Sequence, residues 1–287
     1  MAREKKVEIG AVNITMHPHS PEKYIQLLRH VSKQKLTSRI NQNTAGLIAG
    51  VRYYERSKWN SQVVTGDLYR FGNIDWTSEW FNTKTSQTAE EDDLKGVKIP
   101  NHLKPNASRF SYLFFSQSHL LFYESYYDGN SIGHTTVQKL LRGIFDHESV
   151  LEKYGEIDVT TMPSREKLNQ ALKIDRMDRL FMSINRPNPD DLSAAERRVM
   201  RRLQAQNVKR HEHELIAIPG TGIEPDETTK ELAKIASRNG VVTVKGKDRA
   251  DHPVEYSTKQ HPWDAKAYYD PDTESAFNTF ANTAERN

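Results

Sequence analysis

Two pairs of strand-length runs, each joined by a short turn, set the tightest limit on what this chain can fold into. Ala45 to Glu55 and Gln62 to Gly72 flank the polar turn Arg56–Ser61. Arg109 to Ser116 and His119 to Asp128 are separated by two residues. Such spacing makes hairpins, and hairpins make antiparallel sheet. The second pair is dense in Tyr112, Phe114, Phe115, Phe122, Tyr123, Tyr126 and Tyr127, which suits strands packed on a core. The fold class is therefore α+β, a mostly antiparallel sheet with packed helices.

The rest of the chain fills in around these hairpins. In Val7 to Met16, Val7, Ile9 and Ala11 alternate, and then Val12, Ile14 and Met16 do. Apolar residues on both faces predict a central strand, with a bulge at Ala11–Val12. Ser20–Pro21–Glu22 supplies an N-cap, a proline at the first helical position and an acid in the first turn. The helix it opens has a stripe of Tyr24, Leu27, Leu28 and Val31. Thr135 or Thr136 caps a helix with the stripe Val137, Leu140, Leu141, Ile144 and Phe145. A strand over Glu156 to Thr161, a helix over Ser164 to Leu172 and a strand over Arg179 to Asn185 complete the first body. Pro187 and Pro189 close it.

A second, smaller α+β unit follows. It has strands at Glu214 to Ile218, Val241 to Lys245 and Pro253 to Ser257, and a helix over Pro225 to Arg238 that Asn239–Gly240 stops in the left-handed conformation. The expected division is residues 1–186 for the α+β core and 187–287 for the basic helix and smaller unit. Asp264 onward is polar, contains Pro271, and reads as loosely ordered or weakly helical. Phe81 to Ser108 lacks a pattern and contains Pro100 and Pro105, which predicts a long mobile or functional loop.

Several chemistries find no support. The 287 residues contain no cysteine, which excludes disulfides and thiolate metal sites. No apolar run approaches the ~18 residues of a membrane span. The amino terminus has basic residues but no apolar segment, so no secretory signal is expected. A cytoplasmic location fits. Phosphate-loop, dinucleotide, zincin and nucleophile-elbow motifs are absent from the sequence. His17–Pro18–His19 and His211–Glu212–His213 each place two imidazoles at the spacing of one strand face, which is short of the usual three or four metal ligands. His134 offers a further imidazole, and His134 with His30 resembles the two halves of a two-histidine phosphoesterase only loosely. Asp264–Ala265–Lys266, with Asp226 upstream, has the local spacing of a metal nuclease, and Glu90 to Asp93 forms an acidic run; in both, a solvated polar segment is the simpler reading. No catalytic residue, cofactor or metal is assigned.

One stretch stands out by charge. Leu192 to Arg210 holds six basic residues against one acidic, +5 in a chain whose total is +3. Ser193 and Glu196 have the spacing of a capping box. Leu192, Val199, Met200 and Leu203 fall on one side of the helical wheel, and Arg197, Arg198, Arg201 and Arg202 on the other. Lys209 and Arg210 extend the track at the exit. Arg52, Arg56 and Lys58, with Tyr54 and Trp59 nearby, make a second basic cluster at the first hairpin turn. Such a pattern suits phosphate contact along a groove without base reading. The alternative from residue chemistry is a metal-dependent nuclease or RNase effector. A third reading is a protein-interaction scaffold using the aromatic strands and the acidic loop.

The order of elements, together with three segments, resembles the RexA component of phage exclusion systems. The segments are RFSYLFFSQSHLLFYESYYDGNSIGHTTVQKLLRGIF, EIDVTTMPSREKLNQALKIDRMDRLFMSINRP and HELIAIPGTGIEPDETTKELAKIASRNGVVTVKG. GAVNITMHPHSPEKY near the amino terminus also resembles an uncharacterised bacterial family of prophage and defence islands. The resemblance implies a cytoplasmic homodimer that binds double-stranded DNA without sequence preference in a phage-defence system of the exclusion or abortive-infection type, with a membrane or other protein partner. The relative is basic just after the late strand, whereas Pro219 to Pro225 here carries no positive charge. No site residue is therefore carried over from it.

Overall fold

The computed structural model describes residues 4–18, 20–55, 62–75, 78–185 and 194–287. Arg56, Lys58 and Trp59 of the first hairpin turn, His19, Pro187, Pro189, Leu192 and Ser193 lie outside the described residues. Among the described residues the chain runs β1 (Lys5–Met16), α1 (Pro21–Lys33), β2 (Thr37–Asn41), β3 (Thr44–Tyr53) and β4 (Val63–Gly72). It continues through β5 (Phe81–Asn82), β6 (Gln87–Thr88), α2 (Glu91–Leu94), β7 (Ser108–Phe115), β8 (Leu120–Tyr127) and β9 (Asn130–Ser131). Then come α3 (His134–Phe145), α4 (Glu148–Tyr154), β10 (Ile157–Thr161), α5 (Arg165–Ala171), β11 (Arg176–Asn185), α6 (Ala194–Ala205) and β12 (Arg210–Ile216). The chain ends with α7 (Glu227–Asn239), β13 (Gly240–Lys247), β14 (Pro253–Ser257), β15 (Asp264–Tyr269) and α8 (Ala276–Ala284). The fold is α+β, and among the described residues every strand pairing is antiparallel.

β1 organises the larger sheet, whose path is β10-β1-β8-β7-β4-β3-β2. On one edge its first half pairs with β15 and its second half with β10; β8 lies along the other edge. Val7, Ile9 and Ala11 point to the face covered by Phe280, Ala281 and Ala284 of α8. Val12, Ile14 and Met16 point to the opposite face, under α1, α3 and α4. The change of apolar phase needs no bulge at Ala11–Val12, because strand side chains alternate and the covering helix changes along the strand. Register with β8 is continuous from Ile9–Glu124 to Asn13–Leu120, and the irregularity sits one step earlier, between Glu8 and Ile9.

The helices over this sheet form where capping and apolar spacing agree. The Ser20 hydroxyl accepts from the Lys23 N–H, and Tyr24, Ile25, Leu27, Leu28 and Val31 are buried. α3 buries the whole stripe from Val137 to Phe145 but starts at His134 after Gly133, one to two residues before the threonines expected to cap it. Most of the second hairpin is interior, with Tyr126 and Tyr127 half-buried at its end. Tyr112, Phe114 and Tyr123 belong to one core and Phe115 and Phe122 to the other. These five aromatics therefore offer no free apolar surface for a partner.

The smaller sheet has the order β12-β11-β13-β14. β11, read from the sequence with the first body, is one of its central strands. Leu168 and Ala171 of α5, with Leu172 just after it, already pack with Met177, Leu180 and Met182, so the second core begins before β11. α7 ends at Asn239, and Gly240 is extended (φ 173) rather than left-handed. A Cβ at Gly240 would lie 2.0 Å from the Ser183 carbonyl oxygen; the glycine serves the close approach of β13 to β11. The chain then returns to the first sheet as β15 and α8. This corrects the expectation of a loosely ordered tail: Phe280 and Ala281 are fully buried. No helix among the described residues is long and apolar enough to cross a membrane. Between residues 81 and 107 only β5, β6 and the single turn α2 form, and no residue is buried.

Candidate nucleic-acid interface

α6 holds its apolar side on the second core. Met200 and Leu203 are buried and Val199 is half-buried, while Arg197, Arg198, Arg201 and Arg202 are exposed. Asn207, at φ 53, turns the chain after the helix, and the Val208 N–H donates to the Leu203 carbonyl at 2.8 Å. Glu196 points inward. It is 4% exposed and lies 3.7 Å from the Arg238 guanidinium of α7. Beyond any capping role, it therefore ties α6 to its neighbour.

The arginines of α6 differ in what already holds them. Arg198 Nη2 lies 3.3 Å from Glu231 Oε2 of α7. Arg201 Nε donates to the Arg197 carbonyl at 3.4 Å. Among the described residues, neither Arg201 nor Arg202 is ion-paired with a carboxylate. Further along, the Lys209 ammonium hydrogen-bonds Glu156, which raises its pKa. Arg210 donates to Asn185 Oδ1 at 3.3 Å and lies 3.8 Å from Glu212. The least neutralised positive field is thus at Arg201 and Arg202.

Arg52 stands elsewhere. It is exposed on β3, with Nη1 3.5 Å from the Gly50 carbonyl oxygen. The second unit docks beside β10 and β1, where the Arg238 carbonyl accepts from Asn13 and Thr160. β3 is five strands from β10 along the sheet, a path of about 24 Å at ~4.8 Å per strand. Arg52 and α6 are consequently two separate basic regions.

The remaining sequence candidates do not converge. His211 and His213 share a face of β12 with ring centroids 6.3 Å apart. Burial and the nearby Arg202 hold His211 below its ordinary pKa. Among the described residues no group of three His, Cys, Asp or Glu side chains has metal-binding geometry. His134 Nδ1 is 2.8 Å from the Tyr123 hydroxyl, and burial lowers its pKa. His30 instead packs edge-on against Tyr154. Asp226 caps α7 by accepting from the Thr229 N–H at 2.7 Å, whereas Asp264 and Lys266 lie on β15 in the other sheet, with Lys266 3.6 Å from Glu8. Glu90 and Asp93 form the capping box of α2.

The profile of a family described as a domain of unknown function (DUF4747) matches residues 5–285. The chain belongs to the DUF4747 family. The match takes in the two large sheets and the returning strand and helix, so the two units together make up the family's domain. None of the curated proteins matches the chain.

A group of residues that sequence reading passed over meets at the seam of the two units: Arg165, Glu196, Lys234 and Arg238 line one cleft. Glu196 was visible only as a capping residue. The other three are single cations on amphipathic helices, with no local pattern to unite them.

Proposed function

We propose that this DUF4747 chain binds double-stranded DNA without sequence preference, using the arginine face of α6. The observation that carries the reading is the exposure of four arginines on one helix, two of them without a carboxylate partner among the described residues. A helix that concentrates cations on one face gains affinity by releasing phosphate counterions. Contacts of that kind position a protein on the duplex and carry no sequence information. Lys209 and Arg210 join the surface at the cost of displacing Glu156 and Glu212. Arg52, with Arg56 and Lys58, forms a second contact for a long or bent duplex. The resemblance to RexA supports a cytoplasmic, homodimeric role in phage defence, with a membrane or other protein partner in the same system.

The test is Arg201→Ala with Arg202→Ala, titrated with two unrelated duplexes over a range of salt. Affinity for both should fall alike, and the salt slope should flatten by about one for each phosphate no longer neutralised. Unchanged affinity and slope with an intact fold would reject the assignment.

A further inference from the structure

A cleft of about 350 Å3 opens where the second unit meets the first sheet. One side is formed by Asn13 of β1 and the β7–β8 turn, the other by α5, Glu196 of α6 and the last turns of α7. The seam is pinned by the Arg238 carbonyl, which accepts from Asn13 Nδ2 and Thr160 Oγ1, each at 3.4 Å. Both units thus contribute to the cleft.

Its chemistry is uneven in an informative way. Three cations, Arg165, Lys234 and Arg238, face it with one carboxylate, Glu196. Arg238 is ion-paired with Glu196. Arg165 and Lys234 are exposed, and among the described residues neither has an ion-pair partner. Met162 and Leu168 add an apolar wall, and Asn169 an amide. The excess of cations favours an anion. Glu196 repels one, so the anionic group belongs at Arg165 and Lys234; Glu196, already held by Arg238, can accept a further hydrogen bond from a neutral donor. A bare phosphate would satisfy the cations and leave the apolar wall uncovered.

We propose that this cleft binds a nucleoside phosphate, with the phosphate between Arg165 and Lys234, the base against Met162 and Leu168, and a ribose hydroxyl or ring amine donating toward Glu196. The volume is that of a small-molecule site, in which apolar walls and a few polar groups fix orientation. The inference stands apart from the arginine face of α6, to which neither Arg165 nor Lys234 belongs. The same chemistry has two sources, a free nucleotide or the phosphorylated end of a strand.

The experiment is calorimetric titration of the full chain and of Arg165→Ala/Lys234→Ala. The probes are the four ribonucleoside 5′-monophosphates, inorganic phosphate, and a short single-stranded oligonucleotide with and without its 5′-phosphate. At least one mononucleotide, or the phosphorylated strand over its unphosphorylated form, should bind at least about tenfold more tightly than inorganic phosphate, and the double variant should bind about tenfold more weakly. Mononucleotide binding identifies a free ligand; binding that needs the strand's 5′-phosphate identifies a strand end. Duplex affinity of the double variant should be unchanged, which keeps this test distinct from that of α6. No binding at millimolar concentration, no preference over phosphate, or equal binding by the variant would overturn the proposal. Should the double variant lose its melting transition, Lys234→Glu alone repeats the test, with the same weakening expected and equal binding again overturning it.

Discussion

The Glu196 carboxylate on α6 lies 3.7 Å from the Arg238 guanidinium on α7, with 5% of its side-chain surface exposed against 53% for Arg238. The asymmetry determines what the pair contributes. A desolvated carboxylate needs its partner, but Arg238 can return to water if the carboxylate is removed. Glu196→Gln should therefore cost about 1–2 kcal/mol, below the ~3–5 kcal/mol of breaking a fully buried pair. Arg198→Ala, which breaks the exposed pair with Glu231 across the same helices, should cost within about 0.5 kcal/mol. Urea unfolding of the two variants distinguishes these values; equal losses would mean that burial does not decide the strength of the α6–α7 pairing.

The carboxy-terminal return is the second place where packing sets a measurable value. Phe280 is fully buried with Val7, Ile9 and Phe122. Phe280→Ala should cost about 3–5 kcal/mol, through the transfer energy of the removed ring and the cavity left behind. A cost below about 1 kcal/mol would show that α8 is not part of the cooperative fold.

The same element shows why part of the fold was hard to read. β15 presents only Ala265 and Ala267 toward the core before Tyr269, and alanine has little apolar area to mark a pattern. The hairpins were legible because their large side chains alternate. β11 was legible as a strand, but its partners were not: α5 and the register with β13 draw it into the second sheet, and neither is local in sequence. The arginine face of α6 could be read from charge at helical spacing. The cleft could not, because Asn13 and Arg238 are 225 positions apart.

Glu124 gives the fold a pH dependence. It is 3% exposed and accepts from the Ser111 N–H at 2.8 Å. Burial raises its pKa despite that hydrogen bond and the charge of Arg109, and Asp67 raises it further. The folded state therefore holds this proton at a pH where the unfolded state, with a glutamate near ~4.3, has released it. Fewer protons on the unfolded state mean stability that falls as pH rises from ~4.3 through the folded pKa. Glu124→Gln should remove this decline and melt higher than the parent at neutral pH. Melting curves of both proteins between about pH 4 and 8 test the sign; parallel profiles would exclude Glu124 as the group responsible.

The segment between β4 and β7 should be the first site of proteolysis. Lys84, Lys95, Lys98 and Lys104 are all exposed there, and no residue from 81 to 107 is buried. Opening this backbone disturbs little packing, so cleavage requires only local unfolding. Brief trypsin treatment followed by mass spectrometry should find cuts at these lysines, with the two pieces remaining associated through β4 and β7. First cuts within the sheets instead would contradict this.

The sharpest consequence of the proposed DNA surface concerns a residue that should not touch DNA. Glu156 hydrogen-bonds the Lys209 ammonium, and both side chains are exposed, 74% and 66% respectively. An exposed pair of this kind contributes little to stability, so Glu156→Gln should melt within a degree or two of the parent. For DNA the carboxylate matters more: it neutralises a cation beside the arginine face and repels the approaching phosphates. Removing it should release Lys209 for a phosphate, strengthen binding to unrelated duplexes alike and steepen the salt slope by about one. Lys209→Ala should weaken binding less than Arg201→Ala with Arg202→Ala, because Lys209 must first give up Glu156. In Lys209→Ala, a further Glu156→Gln change should steepen the slope by less than one, since only the repulsion remains to be relieved. An Arg52→Ala control, five strands away along the sheet, should leave the gain from Glu156→Gln intact. If Glu156→Gln left both affinity and slope unchanged while Arg201→Ala with Arg202→Ala lowered them, the duplex track would end at α6, and Lys209 would belong to the seam between the units rather than to the surface that meets DNA.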